Sequence, residues 1–269
     1  MANLSAPEMF DNQAVTKNWK MLSAWMPVPE LGVLPVNSFL LRGREALLVD
    51  TGLGMLADDF LERLESEIDL EDLKWIWLSH MDADHIGNLR SLLNAAPNAR
   101  VLTNFLGMGK LNLAGFDVSR VHLIDQAGVP DIAGHNLAPV RPPYYDAPET
   151  IGFFDRDDGV FFAADSFGAL LPNVVQDLAS VSDADLADGL SRWSAIDAPW
   201  LSLVDKGAFS RNLAGLKRLD PAIMVSSHLP VARHGISEMT EIITKAYCGD
   251  AAIVADPLSV DHLLRSFAA

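Results

Sequence analysis

The stretch that decides the fold is His80-Met81-Asp82-Ala83-Asp84-His85, which directly follows the apolar run Leu73-Lys74-Trp75-Ile76-Trp77-Leu78-Ser79. The apolar run predicts a buried strand, and the turn after it carries two imidazoles and two carboxylates. A strand that runs into a turn can aim successive side chains into one pocket, whereas a regular helix spreads them around its axis. The pattern therefore favours a metal centre at a strand end.

Three further apolar segments predict strands that end in polar side chains. Residues 45–52 end in the acidic turn Val49-Asp50-Thr51-Gly52, and an amphipathic helix is predicted after them over residues 54–67. The strands predicted within residues 159–168 and 221–228 have Asp165 and His228 at their exits. Each predicted strand therefore ends in a potential metal ligand.

This series of motifs resembles the metallo-β-lactamase superfamily, and within it the di-iron domain of the flavodiiron proteins. The superfamily's hydrolases usually carry His-x-His-x-Asp-His, whereas this chain has Asp82 at the second His position, where flavodiiron proteins have a Glu. Further motifs that resemble this branch are Val36-Asn37-Ser38-Phe39-Leu40-Leu41, His85-Ile86-Gly87-Asn88-Leu89, Ala164-Asp165-Ser166-Phe167-Gly168 and Ser227-His228-Leu229-Pro230. The resemblance implies an α/β (α+β) fold, a four-layer αβ/βα sandwich with its ligands along one edge of two sheets.

The resemblance also implies a dinuclear metal site. It gives one metal the ligands His80 and Asp82, and it makes Asp165 the bridge to a second metal held by Asp84, His85 and His228. Where the family has a further His two residues before a Pro, this chain has Asp146 in Tyr144-Tyr145-Asp146-Ala147-Pro148. The implied metal ligands are therefore His80, Asp82, Asp84, His85, Asp146, Asp165 and His228, with Asp84 and Asp165 as the catalytic carboxylates.

With Asp82 and Asp146 as ligands, the cluster holds three imidazoles and four carboxylates. Hard oxygen ligands suit iron and manganese, although the general affinity order still ranks zinc above both. We expect two iron ions, with manganese or zinc as alternatives. Because Asp82 is one methylene shorter than Glu and loses about 1.5 Å of reach, its contact could run through a water. A mononuclear form at Asp84, His85, Asp165 and His228 is the fallback.

Other interpretations of single residues stay open at this point. Asp84 could cap the helix predicted after it, and Asp146 fits an ordinary turn as well as it fits a ligand. His135 lies in the same stretch as Asp146, so that a rearranged loop could let it supply the missing imidazole. Trp193 and Trp200 are interpreted as packing residues that could also line a pocket.

Composition predicts one domain over residues 1–269. Hydrophobic residues make up 49% of the chain, no Ser/Gly-rich linker or repeat divides it, and a two-domain split would cut the site. The C-terminal segment, residues 236–269, predicts two helices over residues 237–247 and 257–267. We therefore expect no flavodoxin-like domain and no flavin site in this chain.

The net charge and the lack of targeting signals exclude some classes of binding partner and some cellular locations. A formal net charge of −16 argues against nonspecific binding of nucleic acid or of an anionic membrane. The N-terminus has no signal-peptide pattern, no apolar run is long enough to span a membrane, and the single Cys248 cannot form an internal disulfide. We therefore expect a soluble cytoplasmic protein, with a homodimer possible.

Two bridged metals can hydrolyse a substrate or, if they are redox-active, bind and reduce a diatomic molecule. The resemblance favours a protein that binds or reduces oxygen or nitric oxide, as a sensor or as a reductase fed by a separate electron donor. Two alternatives remain: a dinuclear hydrolase of an ester, lactone, amide or phosphoester, and a non-catalytic metal-binding protein.

Overall fold

The computed structural model of the protein describes residues 4–43 and 45–248. Its strands are β1 (Glu8–Met9), β2 (Gln13–Ala14), β3 (Trp19–Val28), β4 (Gly32–Leu41), β5 (Ala46–Val49), β6 (Leu73–Trp77), β7 (Arg100–Thr103), β8 (Val121–Leu123), β9 (Leu137–Val140), β10 (Gly152–Asp155), β11 (Val160–Phe162), β12 (Ile223–Ser226) and β13 (Leu229–Ala232). Its α-helices are α1 (Ala57–Glu65), α2 (Ala83–Ile86), α3 (Leu89–Ala95), α4 (Phe105–Leu113), α5 (Ile124–Ala127), α6 (Asp183–Asp197), α7 (Lys206–Leu219) and α8 (Ile236–Cys248).

The strands form two sheets. The first has eight strands in the order β1-β3-β4-β5-β6-β7-β8, with β2 paired to β3, and the second has five in the order β13-β12-β11-β10-β9. Strands β5 to β8 are parallel, as are β11 and β12. Because parallel strands end at the same edge of a sheet, the segments that follow β5 and β6 lie close together, and so do those that follow β11 and β12.

Three hydrophobic clusters show how the layers pack. The cluster between the sheets contains Trp19 and Trp77 from the first sheet and Phe162 from the second, all of them fully buried. A second cluster packs α1, α3 and α4 against the outer face of the first sheet, and a third packs α6, α7 and α8 against the outer face of the second. These are the four layers of the αβ/βα sandwich expected from the sequence.

The predicted elements match the structure in type. The run before His80 is β6, the segment before Asp50 is β5, and the amphipathic stretch after it is a 3₁₀ turn over Gly54–Leu56 followed by α1. Helix α8 is the first predicted C-terminal helix, and the second, over residues 257–267, lies outside the described residues. The single domain over residues 1–269 stays a prediction.

Within the described residues, no helix combines the length and the apolar character needed to cross a membrane.

Candidate metal centre

The predicted ligands lie at the edge where the two sheets meet. Asn37 on β4 joins the sheets there, because its backbone N–H donates to the carbonyl of Ser227 (2.8 Å) and its side-chain amide donates to the carbonyls of Ser226 (3.0 Å) and Leu229 (2.8 Å). On the other side, the N–H of Ile151 donates to the carbonyl of Ser79 at 2.9 Å. These contacts hold the turn after β12 against β4, and the turn after β6 against the residue that precedes β10.

Two groups of potential ligands face each other at this edge. The inner position is defined here as Asp84, His85 and His228, and the outer position as His80, Asp82 and Asp146; within each group, one ligand atom per residue lies within 4.8 Å of the others. Asp165 lies against both groups. Its Oδ2 is 3.5 Å from His80 Nε2 and 3.3 Å from His228 Nε2, and its Oδ1 is 3.3 Å from His85 Nε2. All seven sequence-predicted ligands therefore come together.

The three histidines turn the same ring nitrogen toward Asp165. In His80, His85 and His228, Nε2 is buried and has no hydrogen-bond partner among the described residues. Each Nδ1, in contrast, is engaged. That of His228 lies 2.8 Å from the carbonyl oxygen of Pro35, which can only accept, so this ring carries its proton on Nδ1 and leaves a lone pair on Nε2 when neutral. Unpaired buried nitrogens cost free energy, which a bound cation would remove.

Asp50 and Ser79 fix the other two imidazoles. Asp50 Oδ2 lies 2.9 Å from His85 Nδ1 and accepts from the hydroxyl of Ser79 at 2.7 Å, while Oδ1 accepts from the backbone N–H of Ser79 at 2.8 Å. Since the Ser79 hydroxyl donates to Asp50, its oxygen is free to accept from His80 Nδ1, 3.0 Å away. One buried carboxylate therefore orients an imidazole in each position. The sequence showed Asp50 only as an acidic turn residue.

The motif around Gly87 explains how the turn after β5 stays in place. A Cβ atom at Gly87 would overlap the backbone carbonyl of Gly52 and the backbone nitrogen of Gly54, so only glycine allows the two turns to pack. The Asn88 side chain then donates to the carbonyl of Thr51 at 2.7 Å, and the Thr51 N–H donates to the carbonyl of His85 at 2.7 Å. This interlock holds His85 beside Asp50.

The carboxylates of the outer position are more open to solvent than its imidazole. Asp82 is exposed and occupies the N-cap of α2, yet its side chain makes no capping hydrogen bond. Asp146 is 16% exposed, with its Oδ2 3.7 Å from His80 Nε2, and it accepts a 3.3 Å hydrogen bond from the Thr150 hydroxyl. Asp84 lies inside α2 rather than at its N-cap, so the capping interpretation of this residue is wrong.

Nearby histidines offset the carboxylate charge more fully in the inner position than in the outer position. Burial raises the pKa of Asp165, but the nearby His85, His228 and His80 outweigh it and hold the pKa well below its usual range. Burial lowers the pKa of His228, but Asp165 and Asp84 outweigh it and raise the pKa to about 9. Asp146 differs, because burial, together with Asp165 and Asp82, raises its pKa despite the opposing effect of His80. Negative charge thus accumulates on the outer side.

His135 does not complete the site. Its Nδ1 lies 2.9 Å from Asp155 at the end of β10, and Asp155 pairs with Val160 at the start of β11, the end opposite to Asp165. His135, Asp155 and Asp158 form a further possible metal group. Their carboxylates already have protein partners, since the Trp19 indole donates to Asp155 and the Thr16 hydroxyl to Asp158. This group therefore lies away from the candidate centre, and protein donors already hold its carboxylates.

Two residues one turn apart on α6 line the centre from the second helical layer. The ring of Trp193 lies 4.7 Å from that of His228, and Trp193 Nε1 and Asp197 Oδ2 are buried without a hydrogen-bond partner in the described part of the chain. Burial, together with Asp165 and Asp146, raises the pKa of Asp197 to about 8. Sequence reasoning missed Asp197; its spacing of four residues from Trp193 was the available signal.

Trp200 has a different place. Its indole N–H donates to the carbonyl of Tyr145 at 2.8 Å, and the two rings are 5.4 Å apart. The packing interpretation of Trp200 is therefore confirmed, and the residue supports the loop that carries Asp146.

A family model described as the metallo-beta-lactamase superfamily matches residues 31–172. The chain belongs to this superfamily. The matched range includes every candidate ligand except His228, which lies beyond it. The match agrees with the four-layer sandwich and with the resemblance recognised in the sequence.

Curated relatives within the superfamily carry flavoprotein and flavo-diiron names. A putative diflavin flavoprotein A 1 from Thermosynechococcus vestitus is 30% identical over 213 residues, covering 76% of this chain and 35% of that protein. Flavo-diiron protein FprA2 from Clostridium acetobutylicum is 26% identical, with 74% and 50% covered. An anaerobic nitric oxide reductase flavorubredoxin from Enterobacter sp. is 28% identical, with 49% and 28% covered. The chain thus spans about a quarter to a half of these relatives.

Solved structures share the fold. Rubredoxin oxygen:oxidoreductase from Desulfovibrio gigas superposes with a TM-score of 0.76 at 15% identity, covering 88% of this chain and 61% of that one. A fragment of putative diflavin flavoprotein A 5 from Nostoc sp. PCC 7120 gives a TM-score of 0.72 at 18% identity, covering 90% of this chain and 97% of the fragment. At these identities the likeness shows the fold alone.

Proposed function

We propose that the chain holds two iron ions and binds or reduces oxygen or nitric oxide at them, with electrons from a partner. In this proposal the inner position holds one iron, the outer position holds the other, and Asp165 bridges them. The names of two similar proteins support the choice of gases: one is a nitric oxide reductase and the other an oxygen oxidoreductase. The flavo-diiron name of a third supports iron.

The observation that carries the proposal is the convergence of the three unpaired Nε2 atoms on Asp165. Three buried Nε2 atoms that converge on one carboxylate can bind a cation when the rings are neutral, and a hydrogen-bonded Nδ1 on each ring is the usual support of a metal-binding histidine. Four carboxylates around the same point balance the charge of two divalent ions. The residues present therefore fit a dinuclear centre.

Bound iron would supply the electrons and the open coordination that a diatomic gas needs. The chain's own residues would do the rest. Asp165 holds the two positions together, and Asp50 and Ser79 keep the imidazoles in one orientation. Trp193 covers His228 from the α6 side and excludes water there. Asp82 is exposed to solvent, so a small molecule would approach the metals from this side.

The first experiment measures metal per chain and single-turnover gas reactivity. The full chain is loaded anaerobically with Fe²⁺, desalted, and mixed in stopped flow with oxygen or nitric oxide in stoichiometric amounts. We expect close to two irons per chain and an absorbance change with at least one gas. Asp165→Asn should lose both the metal and the absorbance change, whereas the exposed control Asp131→Asn should keep them.

The other outcomes separate the competing functions. If the chain purifies from iron- and zinc-supplemented medium with two zinc ions and hydrolyses an ester, lactone, amide or phosphoester, the hydrolase replaces the present proposal, because zinc has no accessible redox chemistry. Substantially less than one metal of any kind would leave a lactamase-fold protein without a redox centre.

A further inference from the structure

The two halves of the centre offer different donor atoms. The inner position has two imidazoles and one carboxylate of its own, whereas the outer position has one imidazole and two carboxylates; both share Asp165. Imidazole suits iron and zinc, whereas carboxylate oxygen suits the harder manganese and magnesium ions. The two positions therefore select metals differently.

They also differ in how firmly their ligands are held. In the inner position the rings of His85 and His228 are 1% exposed, and each Nδ1 lies within 2.9 Å of a buried oxygen, of Asp50 and of Pro35 respectively. The outer position has one such ring, His80, whose Nδ1 lies 3.0 Å from the Ser79 hydroxyl oxygen, and its Asp82 is exposed and makes no capping hydrogen bond. The inner carboxylate Asp84 is 27% exposed, so the positions differ in the number of fixed imidazoles. A fixed ligand loses less conformational entropy when a metal binds, so the inner position is the better prepared of the two.

The outer position carries the larger share of negative charge. Asp82 and Asp146 belong to it alone and lie close to the single His80, so these two carboxylates match the charge of one divalent ion, whereas the inner position has only Asp84 of its own. Such a site discriminates by charge and size more than by the softness of its donors.

We propose that the inner position binds iron first and tightly, and that the outer position is a weaker, harder site that accepts manganese, so that the chain can assemble a mixed manganese and iron pair. This inference rests on the proposed function only in that both positions hold metals. It requires no particular gas or electron donor.

The test is a metal competition followed by elemental analysis, without turnover. The metal-free full chain is given one equivalent of Fe²⁺ under anaerobic conditions and then Fe²⁺ and Mn²⁺ together, first at equal concentration and then with Mn²⁺ in about tenfold excess. Manganese binding is read from loss of the hexaaqua Mn²⁺ signal in electron paramagnetic resonance. We expect one iron that resists about a tenfold excess of Mn²⁺, and a second position in which manganese competes within about tenfold of iron.

A variant with a changed donor set locates the manganese. Asp146→His gives the outer position a second imidazole, and it should raise the preference of that position for iron over manganese by about tenfold or more. Asp146→Asn removes a charge without adding an imidazole, and it should weaken the second metal while leaving the first in place. Circular dichroism checks that both variants are folded.

The results separate this inference from the proposed function. Two irons that resist manganese equally, or a manganese preference unchanged in folded Asp146→His, would overturn the unequal pair, even if the iron-loaded protein reacts with oxygen or nitric oxide. One tight iron together with an exchangeable manganese supports the inference even if neither gas reacts. Failure to bind metal at either position would overturn both.

Discussion

The carboxylate of Asp50 and the imidazole of His85 form a buried pair, with Oδ2 and Nδ1 2.9 Å apart and both side chains 1% exposed. The Asp50 oxygen that His85 contacts also accepts from the hydroxyl of Ser79. Asp50, which directly follows β5, has a positive φ of 56°. The pair links the turn after one strand to the ligand-bearing turn after the next.

Asp50→Asn should weaken metal binding about 10- to 100-fold, the usual range for loss of a partner that orients a metal ligand. Asn tolerates a positive φ, so the backbone is not strained further. Its amide group, however, must meet a donor at one of the two places where Asp50 now accepts. Competition with a chelator measures the affinity, and Asp131→Asn is the control. Unchanged affinity would show that Ser79 alone orients the rings.

Metal binding should release protons. In the metal-free protein the pKa of His228 is about 9, raised by Asp165 and Asp84 against the effect of burial, so the ring is protonated at pH 7 and must lose that proton before Nε2 can bind a metal. Apparent affinity should therefore rise with pH, by up to about tenfold per unit between pH 7 and 9. Calorimetry in buffers of different ionisation enthalpy counts the protons; none released at pH 7 would contradict this.

The stability of the metal-free protein should change in the opposite direction. Because the pKa of His228 is raised above the 6.5 of the unfolded chain, its stabilising contribution is complete below pH 6.5 and is lost as pH rises through 9. The same increase in pH thus strengthens metal binding and weakens the metal-free fold. Urea unfolding at pH 6.5 and 9.5, in the presence of a chelator, measures this loss.

Asp197→Asn should stabilise the metal-free protein at alkaline pH. The pKa of Asp197 is about 8 in the fold, raised by burial, Asp165 and Asp146, against 3.8 in the unfolded chain, so the fold binds more protons and loses stability as pH rises from about 4 to 8. Asn mimics the neutral acid. The free energy of unfolding should rise by about 1–3 kcal/mol at pH 8.5, which is the usual cost of an unsatisfied buried polar group, and by less at pH 5.

Urea unfolding at the two pH values gives this difference. Asp131→Asn, at an exposed position, should show the same stability as the unchanged protein at both. An equal gain for Asp197→Asn at pH 5 and pH 8.5 would mean that its charge is not what destabilises the fold.

The ligands that directly follow a strand could be predicted from the sequence. The position of a ligand in a loop was harder to predict. Asp165 and His228 follow apolar runs, so the pattern of the chain alone places them at strand exits. The approach of Asp146 to His80 depends instead on a loop whose carbonyls, at Tyr145 and Pro143, are held by the side chains of Trp200 and Asn212, which lie 55 and 69 residues away in sequence. No local pattern encodes such contacts.

The residues around the ligands were missed for a related reason. Asp197 has no motif, and it reaches the centre because α6 packs on the second sheet. Asp50 stood in a recognised turn, but its role depends on β5 and β6 being parallel neighbours, which brings Ser79 and His85 to it. Both are consequences of packing between elements, whereas the strand ends are properties of single segments.

Gly168→Ala should destabilise the fold and weaken the inner position together. A Cβ atom at Gly168 would overlap Trp193 Nε1 and lie 2.8 Å from the Cβ of His228, so α6 or the ligand must shift, at about 1–3 kcal/mol for overpacking. Gly109→Ala is the matched control: its Cβ meets nothing within 4 Å inside α4, where Ala gains up to about 1 kcal/mol over Gly. Urea unfolding gives both changes, and chelator competition gives the affinity. If Gly168→Ala unfolds at an unchanged urea concentration, the indole of Trp193 can move aside without cost and the prediction is wrong.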